Sequence, residues 1–164
     1  MVVASPQPEE KRRGYIPEAE NENWGTPINT FIELDDEFHF NLDAAASDEN
    51  TNCEYYWTKE QDALVQSWFG RVFLNPPYGR LVGKWVEKAR QEVDCGNAEV
   101  VVMLLKATTD VKWWHKFVWD KTKHCCRPGV SVRFPEGRLC FDIPGKKKGP
   151  APFPSAIIIF RRPE

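Results

Sequence analysis

The stretch Arg71-Val72-Phe73-Leu74-Asn75-Pro76-Pro77-Tyr78-Gly79 decides how this chain reads. Val72, Phe73 and Leu74 are strand formers, and the double proline stops the strand because proline fixes φ and has no N–H to donate. With two donors gone, the carbonyls at this strand end face outward with no local N–H to satisfy them. The Asn75 side-chain oxygen and the Pro76 carbonyl can then both accept from one NH₂ group. An amine conjugated to a ring is a poor nucleophile. Two fixed acceptors favour the transition state in which its nitrogen becomes tetrahedral and positive. Tyr78 offers a flat face for an extruded base. In a polar loop these four residues would make only an Asx-type turn. Here they follow an apolar strand and precede a helical pattern, the context that the chemistry needs.

Downstream, Leu81, Trp85, Val86 and Ala89 recur at helical spacing and predict a helix over residues 81–93, ended by Cys95-Gly96. Residues 99–105 are nearly all apolar, as in a central strand covered on both faces. Residues 109–119 read as a helix. Residues 130–134, 139–141 and 156–160 read as strands, with a Pro/Gly/Lys loop at 143–154. Upstream, Thr26 is placed to cap a helix with Pro27 at its first position and Ile28, Phe31, Ile32 and Leu34 as its apolar face. Residues 38–42 alternate apolar and polar, which predicts a strand ending at Asp43-Ala44-Ala45-Ala46. A polar loop at 47–52 and a short helix at 60–69 follow. This order predicts an α/β fold, a mostly parallel sheet with an antiparallel C-terminal hairpin. Ligands of such sheets sit at the carboxyl ends of the strands, which puts Asp43 and Asn75 on one rim. Residues 1–22, rich in Pro, Glu, Asn and basic residues, predict a disordered tail. Residues 23–164 then form a single domain, as the total of 164 residues allows.

Composition narrows the function. No apolar run approaches the ~20 residues of a membrane helix, and residues 1–13 lack the apolar core of a secretory signal. Five cysteines without a CxxC pair argue for reduced thiols, hence a protein working inside a cell, in a bacterial cytoplasm or a eukaryotic nucleus. His115, His124, Cys125 and Cys126 come nearest to a metal set. Adjacent cysteines suit a tetrahedral site poorly and the paired spacing of zinc modules is missing, so no metal is expected. Charge is asymmetric. Residues 101–164 carry 13 basic and 5 acidic side chains, a balance of +8, whereas residues 1–100 stand at −10. A polyanion would be met by the C-terminal half.

The chain resembles the phage-type DNA N6-adenine methyltransferases, a family of minimal class I S-adenosylmethionine-dependent methyltransferases. The likeness runs from Trp24 to about Phe160. It is carried by Trp24-x-Thr26-Pro27, Leu42-Asp43-x-Ala45-Ala46, Asp62-Ala63-Leu64 with Trp68, Phe73-Leu74-Asn75-Pro76-Pro77-Tyr78-Gly79, Trp113-Trp114, and Gly137-Arg138-Leu139-x-Phe141. It implies a Rossmann-like fold, S-adenosylmethionine as cofactor, and an adenine flipped out of DNA onto Asn75, Pro76, Pro77 and Tyr78. Thr26, flanked by Trp24 and Pro27, would hold the methionine carboxylate. Asp43, with Ala44 and Ala45, would face the methionine ammonium or the nearby ribose. Asp62 would accept from the cofactor's adenine amine, or be only a solvated surface residue.

The departures are informative. The loop after Asp43 has no glycine-rich turn, and only 31 residues separate Asp43 from Asn75, little room for complete second and third strands. The acid that would grip the ribose hydroxyls is open among Asp48, Glu49 and Glu54. No separate target-recognition domain is visible. Lys146-Lys147-Lys148, between Gly145 and Gly149, either contacts phosphates together with Arg138 or only solubilises a loop. The same acceptor pair would serve RNA adenine or a protein glutamine amide. The glycine-poor loop would also fit a non-catalytic nucleic-acid-binding module. The +8 half and the resemblance favour methylation of DNA, and the intact Asn-Pro-Pro-Tyr argues against the module.

Overall fold

The computed structural model describes residues 24–163; the expected tail over residues 1–22 lies outside them. The sheet grows around the most apolar segment of the chain. β4 (Ala98–Lys106) lies between β3 (Gly70–Leu74), parallel to it, and β8 (Ser155–Arg161), antiparallel to it. Val101 to Leu104 are wholly buried, and Ser155 to Phe160 are buried along β8. With strands on both sides and cover on both faces, an uninterrupted apolar run satisfies its backbone and loses its side chains from water together. β1 (Leu42–Asp43) flanks β3, and β2 (Tyr55–Tyr56) forms that edge; β7 (Val130–Arg133) forms the other, beside β8. The order is β2-β1-β3-β4-β8-β7, the first four strands mutually parallel and β8 antiparallel to both of its neighbours, β4 and β7. This is the α/β architecture expected. The short Asp43–Asn75 interval holds one two-residue strand besides β3.

α2 (Val82–Asp94) packs on β4 and β8 through Trp85, Val86, Ala89 and Val93. It stops where expected: Gly96 takes φ +78° and donates to the Val93 carbonyl. Glu92 is buried in this face but fully engaged. Lys88 and Asn97 donate to it, and so does the Trp68 backbone N–H.

Five local expectations are corrected. α1 (Ile28–Phe38) runs four residues past the expected apolar face and buries Phe31, Leu34 and Phe38, leaving Ile28 and Ile32 half exposed. The strand expected over 38–42 is therefore mostly a turn. His39 (φ 53°) closes the helix, Asp35 Oδ1 accepts from the Phe40 N–H, and Asn41 Oδ1 accepts from the Arg71 N–H. A Cβ at Gly70 would lie 2.5 Å from that Asn41 oxygen, so the approach needs glycine. Residues 60–69 make turns instead of a helix: Asp62 adopts φ 51°, and the chain folds round Trp68, whose Nε1–H donates to the Ala63 carbonyl. Residues 109–119 yield only a short helical segment ending in a π-helical turn (Trp114–Val118), with Trp114 buried and Trp113 half-buried. Residues 139–141 join no strand. Instead Asp142 exchanges backbone hydrogen bonds with Gly25 at 2.7 and 2.9 Å. A small ribbon of β5 (Trp119–Asp120) and β6 (Cys125–Cys126) completes the fold. Among the described residues no helix is long and apolar enough to cross a membrane.

Candidate active site at the strand ends

Parallel strands deliver their carboxyl ends to one rim. β1 ends at Asp43, β3 runs into Asn75, and β4 ends at Lys106. Asp43 and Phe73 are register partners, and the Ala44 N–H donates to the Phe73 carbonyl at 3.0 Å. The two residues singled out by sequence thus end adjacent strands.

Asn75 is held from the N-terminal segment. Its Nδ2 donates to the Trp24 carbonyl at 2.5 Å and to Thr26 Oγ1 at 3.0 Å. A carbonyl can only accept, so this pair fixes which way the amide points. Its oxygen, Oδ1, is buried and has no partner among the described residues. Leaving a buried acceptor unsatisfied costs about 1–3 kcal/mol, so the arrangement keeps one acceptor ready for an incoming donor. Pro76 is buried, and no hydrogen bond among the described residues ends on its carbonyl.

Thr26 therefore does not cap α1. Pro27 precedes that helix with extended geometry, its carbonyl accepting from the Phe31 N–H, and no side chain caps the end. The Thr26 hydroxyl serves Asn75. Trp24 packs its ring edge-on against Phe141 and Phe153. Gly25 lies so close to Asp142 that a Cβ would meet its carbonyl at 2.7 Å. The segment that positions Asn75 is thereby tied to the C-terminal half.

Tyr78 departs from its expected role. Its ring is 5% exposed, its hydroxyl donates to the Leu104 carbonyl at 3.2 Å, and burial pushes its pKa far above the ordinary tyrosine range. Phe141 and Phe153 meet it edge-on, and the Lys106 ammonium lies 5.4 Å from its ring centre. The open face is not available in this conformation.

Asp43 is also 5% exposed. Burial raises its pKa to about 7, against the smaller opposing effect of the Ala45 N–H that donates to Oδ1 at 3.1 Å. No cation pairs with it among the described residues. Ala44 is fully buried and Ala45 half-buried behind it. Cys53 packs nearby, its thiol pushed up to about 12 by burial and then by the charges of Asp43 and Asp35. Of the three acids considered for ribose, Asp48 is engaged: its Oδ1 accepts from the Tyr56 hydroxyl at 2.7 Å. Asp62 is exposed, and its Oδ1 accepts from the Leu64 N–H.

The basic residues lie on the surface. Lys146, Lys147 and Arg138 are exposed without ion-pair partners among the described residues, and Lys148 pairs with Asp142 Oδ1 at 2.6 Å. Because Asp142 bonds to Gly25, this loop is fastened beside the segment that holds Asn75. Sequence reading missed three features here: the Trp24 carbonyl as an Asn75 acceptor, Lys106, and Ser155, whose buried Oγ has no partner among the described residues. Lys106 had a visible signal as the first charge after an apolar run.

A mostly parallel sheet with an antiparallel edge, and Asn-Pro-Pro-Tyr at the end of an inner strand, define a methyltransferase-like α/β protein. Residues 13–163 match the family model described as DNA N-6-adenine-methyltransferase (Dam), and the chain belongs to that family. Two phage proteins, each named DNA N-6-adenine-methyltransferase, are similar. That of Escherichia phage T1 is 35% identical over 102 residues, covering 60% of this chain and 41% of its own length. That of Haemophilus phage HP1 is 33% identical over 94 residues, covering 56% of this chain and 53% of its own. The matched segments thus span about half of those relatives.

Proposed function

We propose that this chain transfers a methyl group from S-adenosylmethionine to the N6 amine of adenine in DNA, with the target base flipped out of the helix. The carrying observation is Asn75: an amide clamped through its nitrogen, with a buried oxygen left unsatisfied. Such an oxygen, next to the Pro76 carbonyl, can accept both hydrogens of one planar amine. Its hydrogen bond strengthens as the nitrogen gains positive charge, which lowers a barrier and does more than add binding energy.

The residues fit the cofactor. S-adenosylmethionine supplies an electrophilic methyl on a sulfonium and carries an ammonium and ribose hydroxyls. Asp43, a buried carboxylate without a cation partner among the described residues, is suited to accept from those groups. Ala44 and Ala45 line its turn. Thr26 holds Asn75, and its hydroxyl hydrogen remains able to reach a carboxylate. Lys146, Lys147 and Arg138 are exposed and would meet phosphates. A nucleic-acid substrate accords with an intracellular site of action.

The test is transfer of labelled methyl groups to defined DNA, RNA and protein in parallel, with Asn75→Ala as control. Label in DNA adenine that disappears in the variant is the expected result. Label confined to RNA or to protein glutamine would replace DNA as substrate. Cofactor-free behaviour with DNA binding alone would leave a binding module.

A further inference from the structure

Lys106 ends the central strand on the same rim as Asn75, yet it pairs with no carboxylate among the described residues. Its ammonium rests instead 4.5 Å from the ring centre of Phe153 and 5.4 Å from that of Tyr78. Its register partner across the sheet is Ser155. Directly opposed residues of an antiparallel pair project from the same face. Ser155 is 3% exposed, and its hydroxyl is buried without a hydrogen-bond partner among the described residues. A cation and an unsatisfied hydroxyl thus share one face of the sheet, at the strand-end rim that also carries Asn75. Burial lowers the proton affinity of Lys106, which marks an ammonium short of compensating negative charge.

We propose that Lys106, with the Ser155 hydroxyl beside it, is a subsite for the DNA phosphodiester flanking the flipped base, and so positions that base against Asn75. The proposal rests on the DNA-methylation reading above. A charge-assisted hydrogen bond to a phosphate holds an ammonium more strongly than aromatic faces do. A phosphate arriving at the rim therefore draws the ammonium off the rings. Lysine's flexible stem permits the move. The same motion uncovers the side of Tyr78 and Phe153 on which the ammonium rested, while Phe141 stays packed against Tyr78. Entry of the base and grip of its phosphate become one event.

The test is a chemical double-mutant cycle on the full chain, with DNA carrying the site that the wild-type protein methylates. Each phosphate flanking the target adenine is replaced in turn by a neutral methylphosphonate, and Lys106 by Ala, Gln or Arg. For one flanking position, Lys106→Ala and the methylphosphonate should each weaken DNA binding about tenfold. Combined, they should cost no more than either alone. Lys106→Ala should also lower the slope of log affinity against log salt by about 0.9 on duplex DNA, and Lys106→Arg should restore it. Cofactor affinity should not change. The methylphosphonate arm with wild-type protein needs no variant, and Lys106→Gln keeps chain length if the alanine variant folds poorly. Additive losses at every flanking phosphate would overturn the proposal. So would weakened cofactor binding with an unchanged salt slope, which would place the charge on the methionine carboxylate. If wild-type protein methylates DNA and the losses add, only this inference fails. If it transfers no methyl group to DNA, the functional reading fails and the inference with it.

Discussion

At the end of β3 a neutral amide is clamped by two acceptors and rigid prolines, whereas one strand away, at the end of β1, a carboxylate is buried with a single backbone donor. The Asn75 corner is complete except for one acceptor that is kept open. The Asp43 corner has no ion-pair partner among the described residues. The difference teaches a division of labour: one corner is built to stabilise charge that develops during reaction, the other to attract charge already present on a ligand. Substitutions should therefore separate rate from affinity.

The largest effect is expected at Asn75. Asn75→Ala removes an acceptor that strengthens in the transition state, so turnover should fall about 10²–10³-fold with cofactor affinity little changed. Calorimetry with S-adenosylmethionine and single-turnover transfer to DNA measure the two separately. Near-normal turnover would erase the contrast between the corners.

Asp43 should behave oppositely. Losing a charged hydrogen-bond acceptor should weaken cofactor binding about 10- to 100-fold, with the rate recovered at high cofactor, as for uniform binding. Stability should move the other way. In the folded protein burial holds the Asp43 pKa near 7, well above its ordinary 3.8, so between those values the folded state binds more protons than the unfolded. Stability is therefore favoured at low pH and lost as pH rises toward 7. At about 1.4 kcal/mol per tenfold change in proton affinity the loss tops out near ~4 kcal/mol. Asp43→Asn should melt several degrees higher than wild type at pH 8, and the gap should close toward pH 4. An Asp43→Asn protein no more stable at pH 8 would mean that the carboxylate is not strained by burial.

How much of this was legible in the residues follows from where their information lay. β3, α2, β4 and β8 could be read because their apolar periodicity and the proline stop are local properties. The stretch over 38–42 misled because its alternation competes with a long-range bond: Asn41 meets Arg71, thirty residues away. Residues 60–69 misled because Trp68 satisfies its N–H groups through Ala63 and Glu92, which pulls the chain into turns. At the site, Asn75 and Asp43 announced themselves by residue type. The clamp on Asn75 did not, because a Trp24 carbonyl carries no side-chain signature and lies 51 positions away.

Thr26 sharpens the comparison because two roles compete for it. The resemblance gives it to the methionine carboxylate, while its hydroxyl oxygen accepts from Asn75. Thr26→Val keeps the shape and removes one of two bonds that aim the amide, a loss of about 1 kcal/mol. Turnover should drop roughly five- to tenfold with cofactor affinity unchanged. A raised KM for cofactor with unchanged kcat would assign Thr26 to the Asp43 corner instead.

The smallest effect is expected in the lysine loop, which supplies no group to either corner. Lys146 and Lys147 are exposed with no partner among the described residues, while Lys148 is paired with Asp142. That pair is largely exposed, and exposed pairs contribute at most about 1 kcal/mol, so a phosphate can displace the carboxylate. Replacing all three lysines with Ala should weaken DNA binding a few-fold for every sequence tested. It should also flatten the salt dependence by about 0.9 for each phosphate that is no longer neutralised. Base preference should persist, because phosphate contacts position a protein without reading sequence. Cofactor affinity should persist too, since the loop is not part of the expected Asp43 and Thr26 pocket. Asp142→Asn provides the opposite sign. It keeps the backbone bonds to Gly25, and hence the segment that clamps Asn75, but removes the charge that competes for Lys148. DNA binding should tighten slightly while turnover on bound DNA stays level. A triple-alanine protein with the parent's affinity and slope, together with an inert Asp142→Asn, would show that this loop only solubilises. Beyond the contact proposed for Lys106, the basic surface would then have to be sought among Lys112, Lys116, Lys121, Lys123 and Arg138.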